Sequence, residues 1–273
     1  MKKLRIITIG LAVSLLGLPL KAHEFWISPE TYMIPESNRI EAHLRVGQEF
    51  KGPSYSFQTR QFDRFEIFMG DTAIAVEGRL GDVPALNMAA PGDGLAVLVH
   101  ETIDLQLAYR EWQKFVNFAE EKGFPEVLEA HKARGLPETD FVELYRRYAK
   151  SLVAIGSGGG ADRRVGLKTE IVAAANPYTD ALASLPVQVF LDDTPRANAQ
   201  ITLFDRAPDG TVTKSLHSTD DTGFADLPIS RGHEYLVDAV AMEPLENEDP
   251  EAGGVWRSLW ASLTFKVPDS PLE

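Results

Sequence analysis

Asp140-Phe141-Val142-Glu143-Leu144-Tyr145-Arg146-Arg147-Tyr148-Ala149-Lys150-Ser151-Leu152 is the stretch on which the fold turns. Phe141, Leu144, Tyr145, Tyr148 and Leu152 recur at spacings of three and four. Thr139 or Asp140 precedes them as an N-cap, and Glu143, Arg146, Arg147 and Lys150 take the other side. That pattern predicts an amphipathic helix whose aromatic stripe is core and whose basic group is solvated surface. Two further helical patterns come before it. Trp112, Phe115, Val116 and Ala119 follow a helical period closed by Gly123 ahead of Pro125, and 126–133 forms a shorter helix ended by Gly135. Together they predict a helical insertion over about 103–153.

Outward from that block the chain reads as strands. In 39–46, Ile40, Ala42, Leu44 and Val46 alternate with Glu41, His43 and Arg45. Residues 64–69 and 72–76 flank the turn signal Gly70-Asp71, and 95–99 is a continuous apolar strand ending at His100. Downstream, seven strands are expected at 167–174, 187–191, 199–204, 212–217, 223–227, 234–242 and 256–265. They are separated by Asp/Pro/Gly turns such as Ala207-Pro208-Asp209-Gly210 and Asp220-Asp221-Thr222-Gly223. The fold class is therefore mainly β, with two β-sandwich-like domains, the first carrying the helical insertion and the second immunoglobulin-like without its disulfide. The expected divisions are a signal peptide at 1–22, a first domain at 23–156, a linker at 157–166 around Ser157-Gly158-Gly159-Gly160, a second domain at 167–266 and a tail at 267–273.

The leader carries Lys2, Lys3 and Arg5, then an uncharged apolar run from Ile6 to Leu18, then Leu20-Lys21-Ala22 as a cleavage site. The run is short of the roughly 20 residues a membrane helix needs, and nothing later in the chain replaces it. The expectation is an exported soluble protein. The chain has 273 residues and net charge −13; removing 1–22 deletes four basic and no acidic residues, leaving −17. So acidic a protein is no partner for nucleic acid. With no cysteine, thiolate metal sites, iron–sulfur clusters and cysteine nucleophiles are excluded, and any transition-metal site must use His, carboxylates, the N-terminal amine or main-chain groups.

Cleavage after Ala22 makes His23 the first residue. Its α-amine and imidazole Nδ1 can close a six-membered chelate ring on one Ni, Cu, Co or Zn ion. His100, at a strand end, and His43, on the polar face of an early strand, are the candidate further donors, each also readable as a solvated or core histidine. His131, on a short polar helix, reads as surface, and His217 and His233 border turns. Glu24 and Trp26 are candidate supports for the site, Trp26 also being readable as core. No nucleophile elbow, zinc-protease helix or dinucleotide fingerprint is present, so no catalytic residue is assigned and enzymatic activity stays open.

In order along the chain, Ala22-His23-Glu24-Phe25-Trp26-Ile27-Ser28-Pro29, Val46-Gly47-Gln48-Glu49-Phe50, the run from Tyr145 to Leu152, Thr169-Glu170-Ile171-Val172 with Asn176-Pro177, the run from Thr219 to Gly223, and Trp260-Ala261-Ser262-Leu263-Thr264-Phe265 resemble a family of periplasmic proteins of undefined function. That family includes the accessory component found beside nickel and cobalt energy-coupling-factor uptake transporters. The resemblance implies a periplasmic location, Ni(II) or Co(II) as the metal, a metal-handling role, and an inner-membrane metal transporter as partner. Cu(II) is the alternative, in a carrier or in an oxidase resembling the polysaccharide monooxygenases with their N-terminal histidine. A metal-free carbohydrate- or protein-binding module is the third reading.

Overall fold

The structure, a computed structural model, describes residues 23–272. The leader read over 1–22 lies outside them. In chain order the elements are β1 (Glu24–Pro29), β2 (Met33–Ile34), β3 (Arg39–Gly47), β4 (Ser54–Tyr55), β5 (Phe62–Met69), β6 (Thr72–Ala75), β7 (Leu86–Ala89), β8 (Gly94–Thr102), β9 (Leu105–Tyr109), α1 (Trp112–Lys122), α2 (Glu126–Ala133), β10 (Phe141–Ile155), β11 (Thr169–Ala173), β12 (Ser184–Leu191), β13 (Thr194–Pro195), β14 (Gln200–Arg206), β15 (Val212–Ser218), β16 (Phe224–Pro228), β17 (Glu234–Pro244) and β18 (Gly254–Lys266). Both helices end as expected: Gly123 adopts φ 79°, a left-handed cap that costs glycine nothing.

The largest sheet runs β15-β14-β17-β18-β10-β8-β5-β6, with β2 and β9 also on β10. Its centre is the parallel pairing of β10 with β18, from Val142 opposite Gly254 to Ser151 opposite Thr264. A small sheet of β1, β3, β4 and β7 packs on one face. Its Phe25, Ile27, Ile40, Ala42 and Leu44 meet Phe65, Ile67, Ala96, Leu98 and Ala149 of the large sheet. A second small sheet of β11, β12, β13 and β16 packs on the opposite face, where Ile171, Val187, Val189 and Leu227 meet Leu152, Leu203, Val237 and Leu263. In the second half, β11-β12-β16 oppose β15-β14-β17-β18. That is the strand arrangement of an immunoglobulin-like sandwich with one edge strand switched to the four-stranded side. The fold is thus mainly β, as the alternation predicts.

The third helix is a correction. Residues 141–155 form the longest strand, β10, not a helix. Ala149, Val153 and Ile155 face one core while Tyr148, Leu152 and Ala154 face the other. A strand buried on both sides carries apolar residues at nearly every position, so spacings of three and four arise without a helix. The basic group changes character with it. Arg147 and Lys150 are buried, not solvated, and so is Glu143.

The expected linker at 157–166 is irregular in backbone but tethered. Ser157 bonds Asp93 through both its amide and its hydroxyl, and Asn176 Nδ2 donates to the carbonyls of Gly158 and Gly160, both at 2.9 Å. Lys150 Nζ donates to Asp162 at 2.7 Å, to Glu170 at 3.0 Å and to the Arg163 carbonyl at 2.9 Å. No helix among the described residues is long and apolar enough to cross a membrane.

Candidate functional site

Strand β1 starts one residue after His23, and every side chain at its start is committed. Phe25 and Ile27 enter the core between the sheets, while Trp26, fully buried, turns the other way against Phe50, Phe204 and Leu236. Glu24 is 1% exposed, and its Oε1 accepts from Lys122 Nζ at 3.0 Å. The same ammonium donates to Asp238 Oδ2 at 2.9 Å, tying β1, α1 and β17 together. Burial raises the Glu24 carboxyl and Asp238 reinforces that rise, against the opposing pull of Lys122. Burial alone would lower the Lys122 ammonium, but Asp238 and Glu24 override it and raise its pKa. The cluster holds two carboxylates and one lysine.

His23 itself is exposed, and its carbonyl accepts from Arg147 Nη1 at 2.7 Å. Arg147 lies across rings of Tyr145 at 5.2 Å, Trp260 at 5.1 Å and Phe25 at 5.9 Å, and burial pulls its guanidinium below its ordinary pKa. Its backbone amide donates to Thr102 Oγ1 at 3.0 Å. β10 pairs β9 up to Tyr145 and rejoins β8 only at Leu152, so the ladder on that side opens beside Arg147.

A pocket of about 120 Å³ occupies this opening, between the small N-terminal sheet and the large one. Phe25, Leu44, Phe62 and Leu105 supply apolar wall, Tyr55 and Tyr145 amphipathic wall, and Arg147, His100 and Thr102 the buried polar groups. His100 is 3% exposed, packed by Phe25 at 5.2 Å, Phe62 at 5.3 Å and Phe65 at 5.0 Å, and its Nδ1 has no hydrogen-bond partner. Burial lowers its pKa to about 3, so the ring is a neutral imidazole at ordinary pH, the form that ligates metals.

Two of the three candidate histidines are linked through Arg147. Arg147 holds the His23 carbonyl and lines the same pocket as His100. His43 is elsewhere. On β3, Ile40, Ala42 and Leu44 face the core, so His43 projects from the opposite face, where Nε2 meets Glu30 at 3.3 Å. Among the described residues no three His, Asp or Glu side chains are already gathered as a metal site. His131, expected at the surface, is fully buried: its Nε2 meets the Pro137 carbonyl at 2.9 Å and its Nδ1 accepts from Trp256 Nε1 at 3.0 Å. His217 contacts Ser215 at 2.9 Å and His233 contacts Asp205 at 2.6 Å. Glu24 ties the start of β1 to Lys122 rather than bonding a ligand ring. Trp26 is core.

The residues that pin the start of β1, Lys122 and Arg147, carry no sign of that role in the sequence. Lys122 sits at the last position of α1 and Arg147 in β10, whose spacing predicts a helix. No local signal marks them, since Lys122 follows Glu120-Glu121 and Arg147 follows Arg146.

The family described as "Domain of unknown function (DUF4198)" matches residues 20–243. No curated protein matches. Among solved structures, the D0-D1 domain of Intimin aligns over 88% of this chain and 97% of its own at 13% identity and TM-score 0.23. A tetra-tandem repeat in the extending region of a large adhesion protein aligns over 90% of this chain and 50% of its own at 10% identity and TM-score 0.22. At such scores these likenesses carry no argument, and the fold rests on its own strand pairing.

Proposed function

The chain belongs to the DUF4198 family, and on that footing we propose that it is an exported, periplasmic metal-binding protein that buffers Ni(II) or Co(II) or presents it to an inner-membrane transporter. The ion is held by the amine and imidazole of a mature N-terminal His23, with His100 as a further donor. The observation that carries this reading is the way the fold fixes the start of β1. The Glu24–Lys122–Asp238 cluster and the Arg147 bond to the His23 carbonyl hold the backbone of one exposed histidine, and Arg147 also lines the pocket whose buried neutral imidazole lacks a partner. Ligands held in place before binding lose little freedom when the metal arrives. Two nitrogens from one residue and a third from imidazole form a borderline-soft set suited to Ni(II) and Co(II). The role is that of a binder, and no catalytic residue is assigned.

The test is calorimetric titration of protein beginning at His23 with Ni(II), Co(II), Cu(II) and Zn(II), beside protein bearing one extra residue ahead of His23. The extension should weaken Ni(II) binding at least about tenfold, or about 1.4 kcal/mol, while His217→Ala should leave it unchanged. Equal Ni(II) affinity with and without the extension overturns the reading. Tight Cu(II) binding with neither Ni(II) nor Co(II) bound moves the site to the copper alternative.

A further inference from the structure

Arg147 is 9% exposed, yet no carboxylate among the described residues lies within 4.0 Å of it. Asp238 and Glu24, the carboxylates whose charge reaches Arg147, are both bonded to Lys122 and act on it only at longer range. A buried guanidinium without a direct partner is costly, and in most proteins a carboxylate or phosphate removes that cost. One donor, Nη1, is taken by the His23 carbonyl. Tyr145 and Trp260 lie at 5.2 and 5.1 Å from the guanidinium carbon and cover it by cation–π contact. What Arg147 has left to offer is its edge of N–H donors, the geometry that carboxylates match in bidentate fashion.

The pocket beside it supplies the rest of a recognition site. Its volume of about 120 Å³ suits a single ring rather than a chain of sugars or a peptide. Phe25, Phe62 and Leu105 present apolar surface, and two of those rings already pack edge-to-face or tilted around His100 at 5.2 and 5.3 Å. An organic cation seated directly on the Arg147 donor edge would meet like charge with no ligating nitrogen to offset it. A neutral ring would leave Arg147 as it is.

We propose that this pocket binds a small monocarboxylate bearing one aromatic ring, its carboxylate on Arg147 and its ring among Phe25, Phe62 and Leu105. The site goes beyond the metal reading and does not depend on it. Tyr55, 45% exposed, closes the rim.

The experiment is ligand-detected NMR and calorimetry on metal-stripped protein beginning at His23. Benzoate and phenylacetate are the probes, with benzyl alcohol and benzylamine as isosteres lacking the negative charge. The two acids should bind at least tenfold more tightly than the alcohol and the amine. Arg147→Gln should abolish that preference, and Tyr55→Ala should weaken the acids several-fold in a variant whose circular dichroism is unchanged. His23→Ala should retain acid binding, so a failed metal titration leaves this proposal standing and the converse also holds. Equal affinity for acid and alcohol, no acid binding at millimolar concentration, or full acid affinity in folded Arg147→Gln overturns it. If Arg147→Gln does not fold, the acid–alcohol comparison and Tyr55→Ala decide the question alone.

Discussion

Replacing Lys122 by Met removes the one cation between Glu24 and Asp238. The three side chains are 1–2% exposed, and Nζ lies 3.0 and 2.9 Å from its two acceptors. The methionine fills a similar volume on the Trp260 ring, 4.7 Å from Nζ in the native protein, so little packing is lost. What remains is two carboxylates of like charge out of water. Removing one partner of a buried ion pair costs about 3–5 kcal/mol, and here two acids lose the same partner. The expected loss is at the upper end of that range, on the order of a thousandfold in the unfolding equilibrium. Urea unfolding followed by tryptophan fluorescence reads it directly, because Trp26 and Trp260 adjoin the cluster. The deficit should shrink as pH falls, since protonating a carboxylate removes the stranded charge. Replacing all three groups at once, Glu24→Gln with Lys122→Met and Asp238→Asn, should recover most of the loss. A deficit below about 1 kcal/mol in Lys122→Met at neutral pH would refute the reasoning, because the start of β1 would then not be held by this cluster.

Burial pushes the Glu143 carboxyl up to about 7, against its bonds from Ser258 and Tyr109 and the charge of Arg147. With the folded value above the ordinary 4.5, the stabilisation is complete below pH 4.5 and is lost as pH rises through 7. At about 1.4 kcal/mol per pH unit the loss reaches about 3 kcal/mol, and Glu143→Gln should flatten that slope in urea titrations taken across the window. His100 has the opposite sign. Its folded value of about 3 lies below the ordinary 6.5, so stability is present above 6.5 and falls by up to about 5 kcal/mol on acidification to 3. His100→Phe should remove that acid slope, measured in the Glu143→Gln background because the two slopes oppose each other between 4.5 and 6.5. Gly47→Ala should destabilise by about 1–3 kcal/mol or more, since a Cβ there would lie 2.0 Å from the Lys51 carbonyl oxygen. Thermal unfolding by circular dichroism checks it.

The strands of the second half could be read because Asp/Pro/Gly turns separate them and edge strands such as β16 bury one face, while β17 and β18, buried on both, are apolar runs rich in β-branched and aromatic residues. Phe224–Pro228 alternates exposed and buried residue by residue, and Asp220 closes the turn before it by accepting from the amides of Thr222 and Phe224. α2 begins at Glu126 and ends at Ala133, as its period and the following Gly135 indicate. β10 could not be read in this way, since its residues 147–155 are buried against two cores and so lack any one-sided period. The site divides along the same line. His23, Glu24, Trp26 and His100 stand out locally, in the post-leader tract and at a strand end. Their partners do not: Lys122 is 98 residues from Glu24, and Arg147 is 124 residues from His23. Such pairings are set by how the sheets stack, which no local pattern records.

The measurement that bears most directly on the central claim is anomalous diffraction at the nickel edge from crystals of the protein beginning at His23 and loaded with Ni(II). The account predicts a single strong peak within bonding distance of the His23 amine and Nδ1, on the side of the pocket that holds His100. A peak at another histidine, or a fully ordered His23 with no metal beside it, would contradict the account.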